Sequence, residues 1–464
     1  MIRIDVLSDD VLLEIFDFYM NINLLRGDKT KIEARAWQLL VHVCRRWRSV
    51  VFGSPRRLNL QLYCTPNTPA RDTLDVWPAL PLLIRGYMTS SSVADDIIAV
   101  LGQSNRVREV HLSGLADRQL EYVLAAMQVP FSELTWLSLD SDGETPPVVP
   151  DSFLGGSAPC LRTFKLSGVP FPGLPKLLSS AAHLVHLYLY NVPHSGYFSP
   201  EAMASLLSVL SSLEKLLLHF QSPQSRPDRE SRRPPPSRRS VIPALTHFDF
   251  KGATEYLEDV VTYIDTPQLD HLLISFFDEV DFDSPRLAQF ISHTLILANC
   301  DAHVEFYDST VSVALRSRSE VEIEISCSEP DWQLSSVAQV CNTCLPPLST
   351  IEHLFILNGY SELLGYDVSE DTLWLELLLP FPAVTNLYLP EYSAPGIVAA
   401  LQEMVGAEVL PSLQNIFVEG LEPSGPFQED IREFVTARQL SGHPISFFVW
   451  DGFPSRCDVG RRLV

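Results

Sequence analysis

Apolar residues recur along most of the chain with the spacing L-x-x-L-x-L. The matches are VREVHL at 107, LTWLSL at 134, LRTFKL at 161, LVHLYL at 184, LEKLLL at 213, LTHFDF at 245, LDHLLI at 269, IEHLFI at 351, VTNLYL at 384 and LQNIFV at 413. Alternating apolar positions bounded by polar ones are typical of a strand with one buried side. The pattern therefore predicts ten short strands, most of them 23 to 33 residues apart.

Helical patterns lie between several of these strands. Apolar residues recur at three- and four-residue spacing in EAMASLLSVLSS (201–212), LSSVAQVCNTC (334–344) and GIVAALQEMVGAEVL (396–410). One strand and one helix per unit, at this irregular period, resemble leucine-rich repeats. The resemblance implies an α/β fold in which 107–452 form a solenoid, with a parallel sheet on its concave face and helices on its convex face.

The repeat pattern is weakest between residues 287 and 327. HTLILAN and EVEIEIS alternate like strands there but lack the leading leucine, and we expect two degenerate repeats. ISFFVWDG (445–452) predicts a last strand, and 453–464 a short tail. Upstream, 61–106 are expected to be a linker and an N-terminal capping repeat.

The polar positions of the repeat motif should face the concave side, where solenoids usually bind partners. The third position carries His186, His247, His271, His353, Asn386 and Asn415, and the fifth carries Tyr188, Phe355, Tyr388 and Phe417. Exposed aromatic rings beside polar groups suit protein recognition. The alternative is that the rings pack side by side along the sheet.

Two apolar helices are predicted before residue 60. In the first, Ser8 is placed as N-cap, two aspartates follow it, and Val11, Leu12, Ile15, Phe16 and Tyr19 share one face. In the second, the shared face is Trp37, Leu40, Val41, Cys44, Trp47 and Val51, and GSP ends the helix. So short a segment cannot bury all of this apolar surface by itself.

LSDDVLLEIFDFYM (7–20) followed by LVHVCRRWRSVVFGSPRRLNL (40–60) resembles an F-box. The Val-Cys-Arg-Arg-Trp and Ser-Pro-Arg-Arg-Leu stretches are its specific part, and with TLDVWPALP (73–81) they are similar to the version common in mushroom-forming fungi. Two features depart from the pattern. Ser8 stands where proline is usual, and NINLLRGDKTKIEARA (21–36) lengthens the connection between the helices.

The resemblance implies that residues 1–60 bind a Skp-type adaptor, which links them to a cullin-RING ubiquitin ligase. The chain would then be a substrate receptor rather than an enzyme, with an unknown target protein held by the repeats. The implied docking surface and its supporting core are Leu7, Val11, Leu12, Ile15, Phe16, Leu40, Val43, Cys44, Trp47, Val51, Pro55 and Leu58. Trp47 is expected to be largely buried.

A second hypothesis keeps the repeats as a scaffold or protein-interaction module outside ubiquitin transfer. The N-terminal helices would then only cap one end of the solenoid. This explains their amphipathic pattern but leaves the Val-Cys-Arg-Arg-Trp signature without a reason.

The net charge of −23 argues against a nucleic-acid partner, because phosphate binding depends on lysine and arginine. SPQSRPDRESRRPPPSRRS (222–240) is the exception, with six arginines against two acids. Its five prolines and five serines leave almost nothing to bury, so we expect a disordered insertion. It is either a solvated loop without a role or an arm that attracts an acidic or phosphorylated partner.

No catalytic constellation, cofactor motif or complete metal site is recognisable. CNTC (341–344) lacks a second pair of ligands, and His247 with His271 lacks further ligands, so both are interpreted as structural or surface residues. Asp95-Asp96 and Glu258-Asp259 are interpreted as solvated helix faces.

No apolar run approaches the roughly 18 residues of a membrane span, and MIRIDVLSDD does not resemble a secretory signal. The expected location is cytoplasmic or nuclear, with no membrane partner. Eight cysteines spread through apolar stretches are expected to be structural.

Overall fold

The computed structural model describes residues 6–24, 37–65, 74–88, 92–223, 239–277, 284–297, 300–327, 330–346, 348–358, 371–390, 394–403, 409–420, 427–440, 442–450 and 461–462. The chain divides into two compact units, Met1–Leu184 (unit 1) and Val185–Val464 (unit 2). Each unit combines helices with mostly parallel strands, as the α/β prediction requires. The N-terminal helices therefore share a unit with the first predicted repeats.

Three helices begin unit 1, namely α1 (Asp9–Leu24), α2 (37–41) and α3 (Arg45–Gly53). The Ser8 hydroxyl accepts the backbone N–H of Val11 at 3.4 Å, and Asp9 and Asp10 occupy the first turn of α1. The prediction that Ser8 caps this helix is confirmed. Cys44 caps α3 in the same way, since its sulfur accepts the N–H of Trp47 at 3.4 Å.

Five parallel strands follow in unit 1. They pair in chain order as β1 (Leu62–Cys64), β2 (Leu82–Tyr87), β3 (Val107–Leu115), β4 (Trp136–Ser141) and β5 (Thr163–Ser167). Buried apolar side chains lie in register across the ladder, as with Val110, Leu137 and Phe164. Helix α4 (Ser92–Leu101) connects β2 to β3, α5 (Asp117–Ala126) connects β3 to β4, and α6 (Leu174–Leu178) follows β5.

Unit 2 continues the strand-and-helix pattern. Its first strands are β6 (His186–Val192), β7 (Lys215–Phe220), a short β8 (Ser240–Val241), β9 (His247–Gly252), a short β10 (Ile264–Asp265) and β11 (His271–Phe276). β6, β7, β9 and β11 are parallel neighbours, and β8 pairs with β10. Helices α7 (Pro200–Leu207), α8 (Thr254–Tyr263) and α9 (Pro285–Thr294) belong to this part.

A three-stranded meander interrupts the parallel sheet of unit 2. It consists of β12 (Asp301–Phe306), β13 (Thr310–Arg316) and β14 (Glu320–Ser326), which are antiparallel to one another. Strand β14 pairs with β11, and β12 pairs with the next parallel strand, His353–Asn358. The prediction of two degenerate repeats over 287–327 is therefore wrong. Over its described residues 293–297, HTLILAN does not form a strand, because its first two residues end α9, whereas EVEIEIS forms β14 as predicted.

The C-terminal strands of unit 2 are parallel again. They are β15 (His353–Asn358), β16 (Asn386–Pro390), β17 (Asn415–Glu419) and β18 (Ser446–Trp450), followed by an antiparallel β19 (Arg461–Arg462). Helices α10 (Pro330–Thr343), α11 (Asp371–Leu378), α12 (Ala394–Glu403) and α13 (Phe427–Leu440) accompany them. All ten strands expected from the L-x-x-L-x-L motif are present.

Side chains alternate across these strands. In β6, for example, Leu187 and Leu189 are buried, whereas His186 and Tyr188 point to the other side and remain partly exposed. We call this second side the open face of each unit. Helix α10 packs against β13 and β14, whose buried side chains include Val313 and Ile323. The apolar core of unit 2 therefore lies between its sheet and its helices.

Two predicted segments lie largely outside the described residues. Of the arginine- and proline-rich segment, residues 224–238 lie outside them, as does the 453–464 tail apart from β19. Within the described part of the chain, no helix has the length and apolar character needed to cross a bilayer.

Candidate functional site

The first candidate site is the group of N-terminal helices in unit 1. The structure divides the twelve predicted adaptor-binding residues by exposure. The buried ones are Leu12, Phe16, Leu40, Val51 and Leu58. Leu7, Trp47 and Pro55 are partly exposed. Val11, Ile15, Val43 and Cys44 are exposed. Five of the twelve can therefore only support a docking surface, and seven are accessible to a partner.

An apolar row is exposed along α1. Val11 is 43% exposed, Ile15 45% and Phe18 66%. Spacings of four and three residues place them on one side of the helix, while Leu12 and Phe16 are buried on another. We call Val11, Ile15 and Phe18 the apolar row of α1. The predicted site did not include Phe18, although its spacing from Ile15 is the signal that would have found it.

A second exposed apolar pair lies at and just beyond α2. Leu39 is 62% exposed and Val43 is 59% exposed. Leu39 was also missing from the predicted site. Single exposed apolar residues are common on protein surfaces, but several within two short helical segments are typical of a surface that binds another protein.

Trp47 is mostly buried, as expected, although part of its surface stays exposed. Its ring packs against Phe16 with centroids 4.8 Å apart, so it covers the buried side of α1. Its outer part remains accessible to solvent. Trp47 can therefore both support α1 and contact a partner.

Trp37 is the enclosed tryptophan of this region, with 1% of its surface exposed. Its indole N–H donates to the carbonyl of Gln61 at 3.1 Å, and its ring lies 5.0 Å from Trp77 and 6.0 Å from Phe52. These contacts fix α2 to the segment that leads into β1 and β2. The helices are thus anchored on the sheet of unit 1 through Trp37.

Two arginines connect α1 to α3 and the residues after it. Arg46 binds Asp9 at 2.7 Å and the carbonyl of Leu7 at 2.5 Å. Arg57 forms an ion pair with Glu14. Each exposed pair contributes at most about 1 kcal/mol to stability. They join the first turns of α1 to α3 and to the segment that follows it.

The second candidate site is the open face of unit 2. His186, Lys215, His247 and His271 occupy matching positions on β6, β7, β9 and β11. The rings of His247 and His271 stack with centroids 4.5 Å apart. The structure thus brings together three of the four predicted third-position histidines and adds Lys215, which sequence reasoning missed. The same level of the C-terminal strands holds His353, Asn386 and Asn415, which are joined by hydrogen bonds of 3.3 and 2.8 Å.

The fifth-position aromatic residues form a continuous stack on the C-terminal strands. The sequence of rings is His303, Phe355, Tyr388, Phe417 and Phe448, with centroids 4.1 to 4.9 Å apart and nearly parallel planes. Trp450 packs edge-on against Tyr388 at 5.3 Å. Tyr188 is separate from this stack and lies on β6, where it stacks with His186 and Tyr190.

This stack forms a second apolar cluster on the open face. Phe355 is 9% exposed and Trp450 7%, and Tyr388 and Phe417 pack against them. The expectation of an exposed ring is therefore wrong for Phe355, whose planar surfaces are covered by His303 and Tyr388. Contacts between these rings stabilise the packing of β15 to β18 against one another. The more accessible part of the open face lies on β6 to β11.

The meander contributes a carboxylate group centred on Arg316. The guanidinium lies 3.3 Å from Glu305, 3.2 Å from Glu320 and 3.7 Å from Glu322. Burial raises the pKa of Glu322, and the neighbouring carboxylates add to that effect against the pull of Arg316. Burial lowers the pKa of His303 to about 4, and the positive charge of Arg316 lowers it in the same direction. This imidazole is therefore neutral at pH 7.

Two of the polar groups that resembled catalytic or metal sites are buried. Cys341 and Cys344 are buried in or next to α10, and burial raises the pKa of both thiols. Glu258 and Asp259 are also buried, which corrects the interpretation of a solvated face. In the described part of the chain, no group of three or more His, Cys, Asp or Glu residues is arranged to hold a metal ion.

The geometry thus offers two accessible surfaces, the apolar row of α1 with its neighbours and the open face of β6 to β11. No protein-family model matches the chain. No curated protein sequence matches it either.

Proposed function

We propose that the chain is a substrate receptor of a Skp-cullin-F-box type ubiquitin ligase. In this proposal the N-terminal helices are an F-box that binds a Skp-type adaptor, and the strand-and-helix units are leucine-rich repeats that hold the target protein. The observation that carries the proposal is the apolar row of α1, exposed beside the Val-Cys-Arg-Arg-Trp segment.

Burial of this row on an adaptor would remove apolar surface from water, which is the main driving force of protein association. The supporting contacts keep the row in place without covering it. Phe16 lies against Trp47 beneath it, and Arg46 holds the start of α1 through Asp9. Leu39 and Val43 extend the accessible apolar surface.

The target would bind on the open face of unit 2. The side chains of β6 to β11 are partly exposed and chemically varied, with imidazoles, phenols and amines at matching levels. The aromatic stack of β15 to β18 would support this surface rather than form its centre, because Phe355 and Trp450 are buried.

One observation favours the alternative, a repeat scaffold outside ubiquitin transfer that the helices only cap. Trp37 packs on Trp77 and donates to Gln61, so the helices cover one end of the unit 1 sheet. Capping would account for Trp37 but would leave Val11, Ile15 and Phe18 without a partner.

Binding of the full chain to a purified Skp-type adaptor separates the two proposals. The receptor proposal requires a stable one-to-one complex in size-exclusion chromatography. The scaffold proposal requires that none forms at micromolar concentrations.

A further inference from the structure

The open face of unit 2 continues from β11 over the three strands of the meander. β14 is the neighbour of β11, and the alternate residues of β14, β13 and β12 that are not in the core lie on the same side of the sheet. Carboxylates dominate this part of the open face, namely Asp301, Glu305, Glu320, Glu322 and Glu324. We call these five residues the acidic face of the meander.

The cations near the acidic face do not balance it. Arg316 lies among the carboxylates and is held by three of them, as described above. His303 is neutral at pH 7, and His271 on β11 approaches only Glu320. Lys251 lies two strands from Glu324, and its ammonium is placed over the ring of Phe277, 5.9 Å from the centroid. One guanidinium cannot neutralise five carboxylates, so this face is negatively charged.

Two polar side chains at one end of the acidic face have no partner among the described residues. Glu324 forms no ion pair or hydrogen bond with any of them. Ser312 is directly opposite it on β13 and is only 3% exposed, yet its hydroxyl makes no hydrogen bond to a described residue either. A buried hydroxyl without a partner is unfavourable. A donor that reached Ser312 would therefore gain from an unused acceptor.

Ser312 lies between two carboxylates. It pairs with Glu324 on β14 and with Glu305 on β12, and residues directly opposite in an antiparallel ladder are about 4.5–5.5 Å apart. Glu305 also accepts the hydroxyl of Tyr307 at 2.6 Å, which fixes its position. We call Glu305, Ser312 and Glu324 the Ser312 site. Three oxygen-bearing side chains from three strands thus converge on one point of the open face.

The chemistry of the Ser312 site favours an ammonium group. An ammonium carries three donors and no acceptor, which matches two carboxylates and a hydroxyl. The planar cation of this face is already Arg316, whose guanidinium spans Glu305 and Glu322. In the described part of unit 2, no three carboxylates or imidazoles are placed to hold a metal ion. The carboxylates therefore suit a cation that reaches them through hydrogen bonds.

We propose that the Ser312 site binds the ammonium group of a lysine in a basic segment of the target protein. The inference rests on the proposed function, in which the open face of unit 2 holds the target, and it extends that surface from β11 to the meander. Leu273 on β11 is 36% exposed and in register with Glu322. It offers apolar surface beside the acidic face, and a lysine stem can cover such surface while its ammonium binds carboxylates.

The test uses the full chain and a fluorescein-labelled peptide of five Lys-Ser repeats, followed by fluorescence anisotropy in 150 mM NaCl. This salt screens the long-range attraction between a cationic peptide and a chain of net charge −23. A peptide of five acetyl-lysine-Ser repeats has the same length but lacks the positive charges. We expect the lysine peptide to bind at least tenfold more tightly than the acetylated one.

Three variants locate the site. Glu324→Gln should weaken binding about tenfold, as expected for the loss of one hydrogen bond between charged groups. Ser312→Ala leaves the charge unchanged and should weaken binding about threefold through the lost acceptor. Glu433→Gln is the matched control, because Glu433 is an exposed glutamate on α13 and its loss changes the net charge equally. It should bind within twofold of the wild type, and circular dichroism checks the fold of each variant.

Four results would overturn the proposal. The first is equal binding of the acetylated peptide. The second is an equal effect of Glu324→Gln and Glu433→Gln, which would indicate attraction to the whole chain. The third is a peptide of five Arg-Ser repeats that binds tenfold more tightly than the lysine peptide. The fourth is lysine-peptide binding that appears only when residues 224–238 are deleted, which would assign the site to the chain's own arginine-rich segment.

Binding of the Skp-type adaptor is measured on the same variants. It depends on the N-terminal helices of unit 1, so Glu324→Gln and Ser312→Ala should bind the adaptor like the wild type. A chain that binds the adaptor but not the lysine peptide would contradict only the Ser312 site. A chain that does not bind the adaptor would contradict the receptor proposal itself.

Discussion

Glu258 on α8 accepts the backbone N–H of Leu287, at the start of α9, with its Oε1 at 2.7 Å. The N-cap of α9, Ser284, makes no side-chain capping hydrogen bond, so the carboxylate of one helix caps the next. A side-chain oxygen at this position satisfies an N–H that the helix itself leaves unpaired. Arg286 lies 3.6 Å from Asp259 and links the same two helices.

The pH dependence of stability tests this cap. Burial raises the pKa of Glu258, although Leu287 and Arg286 lower it in part. A raised folded-state pKa means that the stabilisation belongs to the protonated form. It is complete below the unfolded value of about 4.5 and is lost as the pH rises through the folded value.

Glu258→Gln keeps an oxygen acceptor and removes the ionisation. We expect the variant to gain stability relative to the wild type between pH 4.5 and pH 7.5, as measured by urea unfolding at both values. Glu258→Ala serves as control and should lose about 0.5–2 kcal/mol, as caps do. A difference between Gln and Glu that stays constant with pH would contradict the assignment of burial as the dominant effect.

Tyr256 gives a second prediction. It is completely enclosed in the core of unit 2, 4.8 Å from Phe220, and its hydroxyl has no hydrogen-bond partner among the described residues. An unpaired buried polar group costs about 1–3 kcal/mol. Tyr256→Phe removes the hydroxyl and keeps the ring, so the free energy of unfolding should rise by about 1 kcal/mol. A loss of that size in thermal or urea unfolding would instead reveal a hydrogen bond.

The two tryptophans of the N-terminal helices give a third prediction. Trp37 is enclosed and donates a hydrogen bond, whereas Trp47 keeps part of its surface exposed. Trp37→Ala should cost about 3–5 kcal/mol, the range for a fully buried large side chain. Trp47→Ala should cost roughly half as much, because only part of its ring leaves a packed environment. Urea unfolding of both variants, monitored by far-UV circular dichroism, gives the comparison, and the reverse order would be inconsistent with the packing around Trp77.

The strands were predictable because their pattern is local. Leu184, Leu187 and Leu189 are all buried, and this spacing alone places β6 and its open face. The cap at Ser8 was predictable for the same reason, since the hydroxyl bonds to a residue three positions away.

The meander was not predictable from such spacing. Its strand order depends on β14 pairing with β11, which pairs Glu320 with His271 from 49 residues earlier. HTLILAN alternates like a strand, but its first residues complete the last turn of α9.

The local sequence pattern also could not predict which particular side chains are buried. Trp37 and Trp47 share one apolar pattern, and the contact with Trp77 decides which of them is enclosed. Glu258 looks solvated by residue type, yet the unpaired N–H of Leu287 gives it a buried partner. In the candidate site, the three-residue spacing from Ile15 could have predicted Phe18, whereas the exposure of Leu39 is visible only in the structure.

The most direct test of the receptor proposal is the affinity of the full chain for a purified Skp-type adaptor, measured by isothermal titration calorimetry for the wild type and two variants. Ile15→Asp places a charge in the middle of the apolar row of α1. Val148→Asp places one at a valine that is 50% exposed elsewhere in unit 1. We predict that Ile15→Asp weakens binding at least about 30-fold, equivalent to about 2 kcal/mol at an interface centre, with an unchanged melting temperature. Val148→Asp should bind like the wild type. Wild-type affinity in Ile15→Asp, or no binding by the wild type itself, would contradict the proposal.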